Sequence, residues 1–182
     1  MLYIITGGSG SGKSAYAENL ILKLGDEKRY YIATMHPFDR ESYRRIDRHR
    51  AMRADKGFVT IEKYTNLEEI VISKDADVLL ECMSNLVANE MYEENGAGED
   101  TVDAVLEAVR VLKSKAKNLI IVTNEISSDC QQYSEETLKY MKYLGEINCA
   151  LAKEADMVTE VVYGIPVHIK KGEVIEIEKT ME

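Results

Sequence analysis

A chain of 182 residues with 45% apolar residues, 30% charged residues and two prolines suits one domain with a substantial core, and excludes fibrous or disordered classes. Its net charge of −9 opposes general nucleic-acid affinity, and no apolar run approaches the ~20 residues of a membrane-spanning helix. The start, MLYIITGGSG, lacks a signal peptide's basic flank, and the three scattered cysteines (Cys82, Cys130, Cys149) form no CxxC pair. A cytoplasmic location is expected, without disulfide framework or zinc site, each thiol being a small buried residue.

In chain order, Leu2–Thr6 is a continuous apolar run that reads as a buried strand, and Lys13–Leu24 has helical spacing through Ala17, Leu20, Ile21 and Leu24. Tyr30–Thr34 predicts a second strand, Glu41–Ala54 a helix and Phe58–Glu62 a third strand. Asn66–Ile72 reads as a short helix and Asp77–Glu81 as a strand. Glu93–Asp100 (EENGAGED) reads as a solvated loop. Asp100–Lys115 is an amphipathic helix, Leu119–Thr123 a strand, Glu135–Glu154 a long helix and Val158–Tyr163 a buried strand. Val167–Lys170 and Val174–Glu178 complete a terminal run of strands joined by turns at Tyr163–Pro166 and Lys171–Gly172. Apolar strands separated by helices imply an α/β fold: a single domain over 1–182, a mostly parallel sheet with helices on both faces and a C-terminal antiparallel hairpin.

Residues 7–14, GGSGSGKS, match GxxxxGK[ST] between a predicted strand and a predicted helix, the context of a working P-loop. Gly7, Gly8, Ser9, Gly10, Ser11 and Gly12 would wrap backbone N–H groups around a phosphate at a helix N-terminus. Lys13 would reach the outer phosphates of GTP or ATP, and the Ser14 hydroxyl would ligate Mg²⁺. A carboxylate must complete the metal shell. Glu81 and Glu125 both follow predicted strands; Glu81 is preferred because its strand is uninterrupted, while Glu125 would face the second substrate. The alternative for either is merely to cap a following helix, since acidic residues favour helix N-termini.

Six of the eight arginines fall between Arg40 and Arg53, in an otherwise acidic chain. On a helix, Arg45, His49 and Arg53 share one face at i, i+4 spacing. A solvated basic face accounts for such a run, and so does a polyphosphate site that relieves the repulsion. Cationic neighbours favour a neutral imidazole, which can attack an α-phosphorus and expel pyrophosphate. His36 and His168 read as exposed, the former in a loop and the latter on the terminal hairpin. Tyr133, Tyr140, Met141 and Tyr143 read as core, or else as a subunit or acceptor surface.

The stretches TGGSGSGKS (6–14), YIAT (31–34), DRESYRRIDRHRAMR (39–53), VTIE (59–62), LLEC (79–82), VTNE (122–125), GEINCALAKEAD (145–156) and VYGIPVHIK (162–170) together carry a resemblance. From its start to about Lys170 the chain resembles the bifunctional adenosylcobinamide kinase/adenosylcobinamide-phosphate guanylyltransferase family of cobalamin biosynthesis. The RIxxH histidine of that family carries a covalent GMP, a role that falls on His49. The resemblance also implies nucleotide contacts from Arg50, Arg53, Thr34, Glu62 and Glu81, a P-loop α/β sheet and a homotrimer. Adenosylcobinamide is the implied corrinoid substrate. The chain departs from the family pattern at Gly10, near Phe58 and between 126 and 140. The rivals are a GTP-dependent transferase of this family with another acceptor, and a nucleotide-binding switch protein that transfers nothing.

Overall fold

The computed structural model describes residues 1–25, 27–37, 40–126 and 133–171; within the helix at 40–53 the side chains of Glu41, Ser42, Arg45, Arg48, His49 and Met52 lie outside that description. The elements run β1 (Leu2–Thr6), α1 (Lys13–Lys23), β2 (Arg29–Ala33), α2 (Arg40–Arg53), β3 (Phe58–Glu62), β4 (Asp77–Leu80) and α3 (Met83–Tyr92). They continue α4 (Thr101–Lys115), β5 (Asn118–Val122), α5 (Glu135–Glu154), β6 (Met157–Val162) and β7 (Ile165–Lys170). The sheet has the order β3-β2-β4-β5-β1-β6-β7, parallel except for the β6–β7 pair. The α/β architecture, with its mostly parallel sheet and C-terminal hairpin, is as expected.

Apolar residues on both sides of each inner strand explain why the sheet is covered twice. Leu2 and Ile4 of β1 join a core built with α3, α4 and α5, whereas Tyr3 and Ile5 pack with Ala17, Leu20 and Ile21 of α1. Each fully buried Leu or Ile contributes about 1.5–3 kcal/mol, so both layers are held firmly at the centre. The edges differ. β3 is largely exposed, and β7 shows Ile165, Val167 and Ile169 to solvent. Among the described residues no helix is long and apolar enough to cross a membrane.

Several local expectations are revised. The predicted helix over Asn66–Ile72 is one 3₁₀ turn, Leu67–Glu69, preceded by Asn66 at φ 52°. Helix α3 was not anticipated, because its polar Ser84, Asn89 and Glu90 are buried and break the amphipathic pattern. The acidic loop after it is not simply solvated: the Ala97 N–H donates to Glu90 Oε2 at 3.0 Å. β7 begins at Ile165, ahead of Pro166, which an edge strand tolerates because no neighbour requires its missing N–H. Val174–Glu178 lies outside the described residues.

The thiols also depart from expectation, since Cys149 is exposed and Cys82 half-buried, while Cys130 lies outside the described residues. His168 is half-buried, its Nδ1 3.0 Å from Thr159 Oγ1. His36, expected in open solvent, stacks on Tyr64 with centroids 3.6 Å apart and pairs with Glu93 at 2.5 Å. Tyr140 is packed against the core as expected, its hydroxyl donating to Ser84 O at 3.1 Å.

Candidate functional site

The C-terminal ends of β1 to β6 share one sheet edge, the edge where open α/β sheets bind ligands. Two structures stand on it. The first is the turn over residues 7–12. Gly10 and Gly12 take φ 71° and 94°, left-handed values that let the backbone curl before α1 starts. At Gly7 a Cβ would lie 2.5 Å from the Val161 carbonyl oxygen, so this position closes directly on β6. The α1 N-terminus has no side-chain cap and no acidic residue in its first turn, which leaves its positive dipole end for an external anion.

Lys13 folds back so that Nζ donates to Gly8 O at 3.0 Å. Burial pushes its pKa down, partly offset by Cys82. The ammonium of this half-buried side chain is thus held over the turn and partly desolvated, a state that a bound polyphosphate would relieve. The Ser11 hydroxyl is buried without a hydrogen-bond partner among the described residues. The turn's other side is closed by β6–β7, where Gly164 donates its N–H to Ser11 O at 2.8 Å.

The second structure is a cleft of about 60 Å³ lined by Arg50, Arg53, Glu62, Glu81, Ile46 and Tyr64, among others. Helix α2 forms its roof. Arg53 is buried at 6% exposure, its guanidinium 3.7 Å from the centroid of Tyr31 on β2, while the side chains of Arg45 and His49 lie outside the described residues. Arg50 Nη2 donates to Glu62 Oε1 at 2.5 Å, tying α2 to β3. Glu81 follows β4 and is buried beside Tyr31, whose phenol is pushed far up by burial and then by the Glu81 charge. Just past α2, Lys56 Nζ lies 2.6 Å from the fully buried Glu18 of α1.

Arg50, Arg53, Glu62 and Glu81 therefore converge, and residues 7–14 form the separate glycine turn. Thr34 belongs to neither: it is fully buried, and its hydroxyl donates to Cys82 O at 2.9 Å. The backbone of His49 lies in α2; its side chain lies outside the described residues. In the sheet order β1 and β2 are separated by β5 and β4, ~14 Å at ordinary strand spacing. Ser14 and Glu81 offer a hydroxyl and a carboxylate, hard oxygen donors that suit Mg²⁺ rather than a soft metal.

Sequence reading missed the groups that support these two structures. The buried Asn89 side chain of α3 donates to Thr34 O at 2.9 Å and Tyr64 O at 3.0 Å, joining the segments after β2 and β3. Glu90 accepts from the Asn66 N–H at 2.7 Å, and burial pushes its pKa up. Within VTNE, Asn124 donates to Ser84 Oγ at 2.6 Å and Thr123 Oγ1 bonds Asn148 Oδ1 at 2.8 Å, so both serve packing of the sheet edge. Glu125 is exposed. The available signal was a pair of polar residues, Asn89-Glu90, inside an otherwise apolar run.

Comparison with known proteins adds relatives to this geometry. Residues 3–169 match the family described as cobinamide kinase / cobinamide phosphate guanyltransferase. The bifunctional adenosylcobalamin biosynthesis protein CobU of Escherichia coli strain K12 is 32% identical over 93% of this chain and 100% of its own length. The protein of the same name from Salmonella typhimurium strain LT2 is 30% identical over 93% and 100% of the two chains. Among solved structures, an ATPase domain aligns with a TM-score of 0.50 at 10% identity, covering 87% of this chain and 68% of that one, a likeness of fold.

Proposed function

Because the chain belongs to the cobinamide kinase / cobinamide phosphate guanyltransferase family, we propose that it phosphorylates adenosylcobinamide and then transfers GMP from GTP to the new phosphate, giving adenosylcobinamide-GDP. The observation that carries this reading is the convergence of Arg50, Arg53, Glu62 and Glu81 in one cleft roofed by the helix that bears His49. Two guanidinium groups, one buried and one exposed, beside Glu62 form a site for a charged nucleotide, and Glu81 follows β4, which lies between that side of the sheet and the strand of the glycine turn.

In the phosphoryl step the acceptor hydroxyl oxygen bonds the γ-phosphorus, the bond from that phosphorus to the β,γ-bridging oxygen breaks with its electron pair staying on the leaving diphosphate, and the hydroxyl proton passes to solvent. The turn and Lys13 hold the β- and γ-phosphates, and the partly desolvated ammonium neutralises charge that grows on the leaving diphosphate. Ser14 and Glu81 would hold Mg²⁺, which when bound neutralises the phosphate oxygens. ATP and GTP both fit this step as donors, because the turn grips only phosphates.

In the guanylyl step a neutral His49 attacks the α-phosphorus of GTP, a P–N bond forms, and pyrophosphate leaves with the electron pair of the broken P–O bond. An oxygen of the corrinoid phosphate then attacks the same phosphorus and returns the pair to the imidazole. Arg50 and Arg53 stabilise the equatorial charge in both halves. Thr34 acts from below, through the backbone it braces. The reading includes a cytoplasmic homotrimer; the exposed apolar row of β7 supports self-association, which sedimentation measures.

Incubation with α-labelled GTP tests the adduct. The parent protein retains acid-labile label and His49→Ala retains none; equal labelling of the two would remove the histidine from the mechanism.

A further inference from the structure

The two-residue turn between β6 and β7 holds a residue that the fold does not require. Val162 pairs with Ile165, leaving Tyr163 and Gly164 as the turn, at φ 51° and 82°. Positive φ at both positions defines a type I′ hairpin, which favours Asn-Gly or Asp-Gly because a β-carbon with a bulky ring is strained there. Tyrosine occupies the first position and is 94% exposed. Neither packing nor backbone preference accounts for a large aromatic side chain at such a point, and strain of this kind clusters at ligand sites.

The place of the turn supplies a reason. Gly164 donates its N–H to Ser11 O at 2.8 Å, and a Cβ on Gly12 would lie 3.4 Å from the Gly164 Cα. The hairpin thus rests on the glycine turn directly before Lys13, and β6 is the sheet neighbour of β1. A triphosphate seated on the turn can send its nucleoside toward the α2 cleft, beyond β5 and β4, or toward β6–β7 immediately alongside. The second path runs along the β6–β7 turn with its exposed Tyr163.

We infer that Tyr163 is a stacking platform for the purine base of the phosphoryl donor held at the glycine turn. The inference rests on the reading of that turn as a triphosphate site. Stacking tolerates any base, so adenine and guanine donors are both served. The guanylyl cleft across the sheet uses other side chains, so the platform belongs to the phosphoryl step.

The test titrates the full-length chain with the β,γ-imido analogue of ATP and with inorganic triphosphate. Tyr163→Asn suits the turn better than the native residue, so its melting temperature stays level or rises. It weakens the ATP analogue roughly tenfold while inorganic triphosphate stays within about twofold, and Tyr163→Phe keeps the parent affinity. The inference is overturned by an Asn variant that binds the analogue as the parent does, or by one that loses both probes alike, since the turn would then only shape the loop. It is overturned equally by a parent that binds the analogue no better than inorganic triphosphate. A parent that binds neither probe overturns the triphosphate reading of the glycine turn, and the platform with it.

Discussion

The glycine turn and the α2 cleft occupy one sheet edge but are held in opposite ways. The turn is a backbone structure fixed between β1, α1 and the β6–β7 hairpin, and α1 behind it buries Ala17, Glu18, Leu20 and Ile21. The cleft is a side-chain structure, roofed by a helix of whose described side chains only Arg53 is buried. Among the described residues its ties include a cation over an aromatic ring, the Arg50–Glu62 pair and, just past its end, Lys56 on Glu18. A segment with few buried apolar contacts opens at lower free energy than one seated in the core. Among the described residues the glycine turn is therefore fixed by backbone packing, whereas α2 is tied through charged side chains. In the sheet order β5 and β4 lie between β1 and β2, ~14 Å at ordinary strand spacing, so the two structures are built on separate strands of one edge.

The sharpest way to break this contrast is Lys13→Ala. Phosphoryl transfer falls by about two to three orders of magnitude, because a partly desolvated cation over the leaving group is lost. The melting temperature stays near the parent's, since among the described residues the Lys13 ammonium bonds only the Gly8 carbonyl. A rate within about tenfold of the parent in a steady-state assay would reduce the turn to a chain reversal.

Arg53→Lys probes the other region with a smaller effect. It keeps the charge but loses the planar stack on Tyr31, and costs about 1 kcal/mol of stability in urea unfolding, together with reduced guanylyl labelling. Unchanged stability would mean that α2 is anchored elsewhere, and the two regions would differ less than described.

The smallest effect is a proton. Burial holds the pKa of free Lys13 below the usual lysine value, and a bound triphosphate favours the charged form, so the bound value is higher. Between the two values binding takes up a proton, and affinity declines as pH rises through the free-state value; below both, no proton moves. Calorimetry at alkaline pH in buffers of different ionisation enthalpy measures this uptake. Lys13→Arg abolishes it, and the same uptake in that variant would assign the proton to another group.

What the sequence determined by itself was local or periodic. An apolar pentapeptide, a glycine-rich octapeptide and a helical repeat follow one another within 24 residues, so Leu2–Leu24 read correctly as strand, turn and helix. The inner strands were legible because each is apolar on consecutive residues, and the basic helix because charge and i, i+4 spacing need no distant partner. Tertiary structure alone decided which ends meet. Arg53 became a buried wedge because Tyr31 lies below it, and Thr34 a brace because β4 is the neighbour of β2. Helix α3 was illegible for the same reason: Asn89 and Glu90 are satisfied by backbone groups up to 55 positions away, and no short window of sequence contains both a polar group and its partner. Periodicity records the solvent boundary of a single element, while the pairing of buried polar groups is settled only when elements remote in the chain are brought side by side.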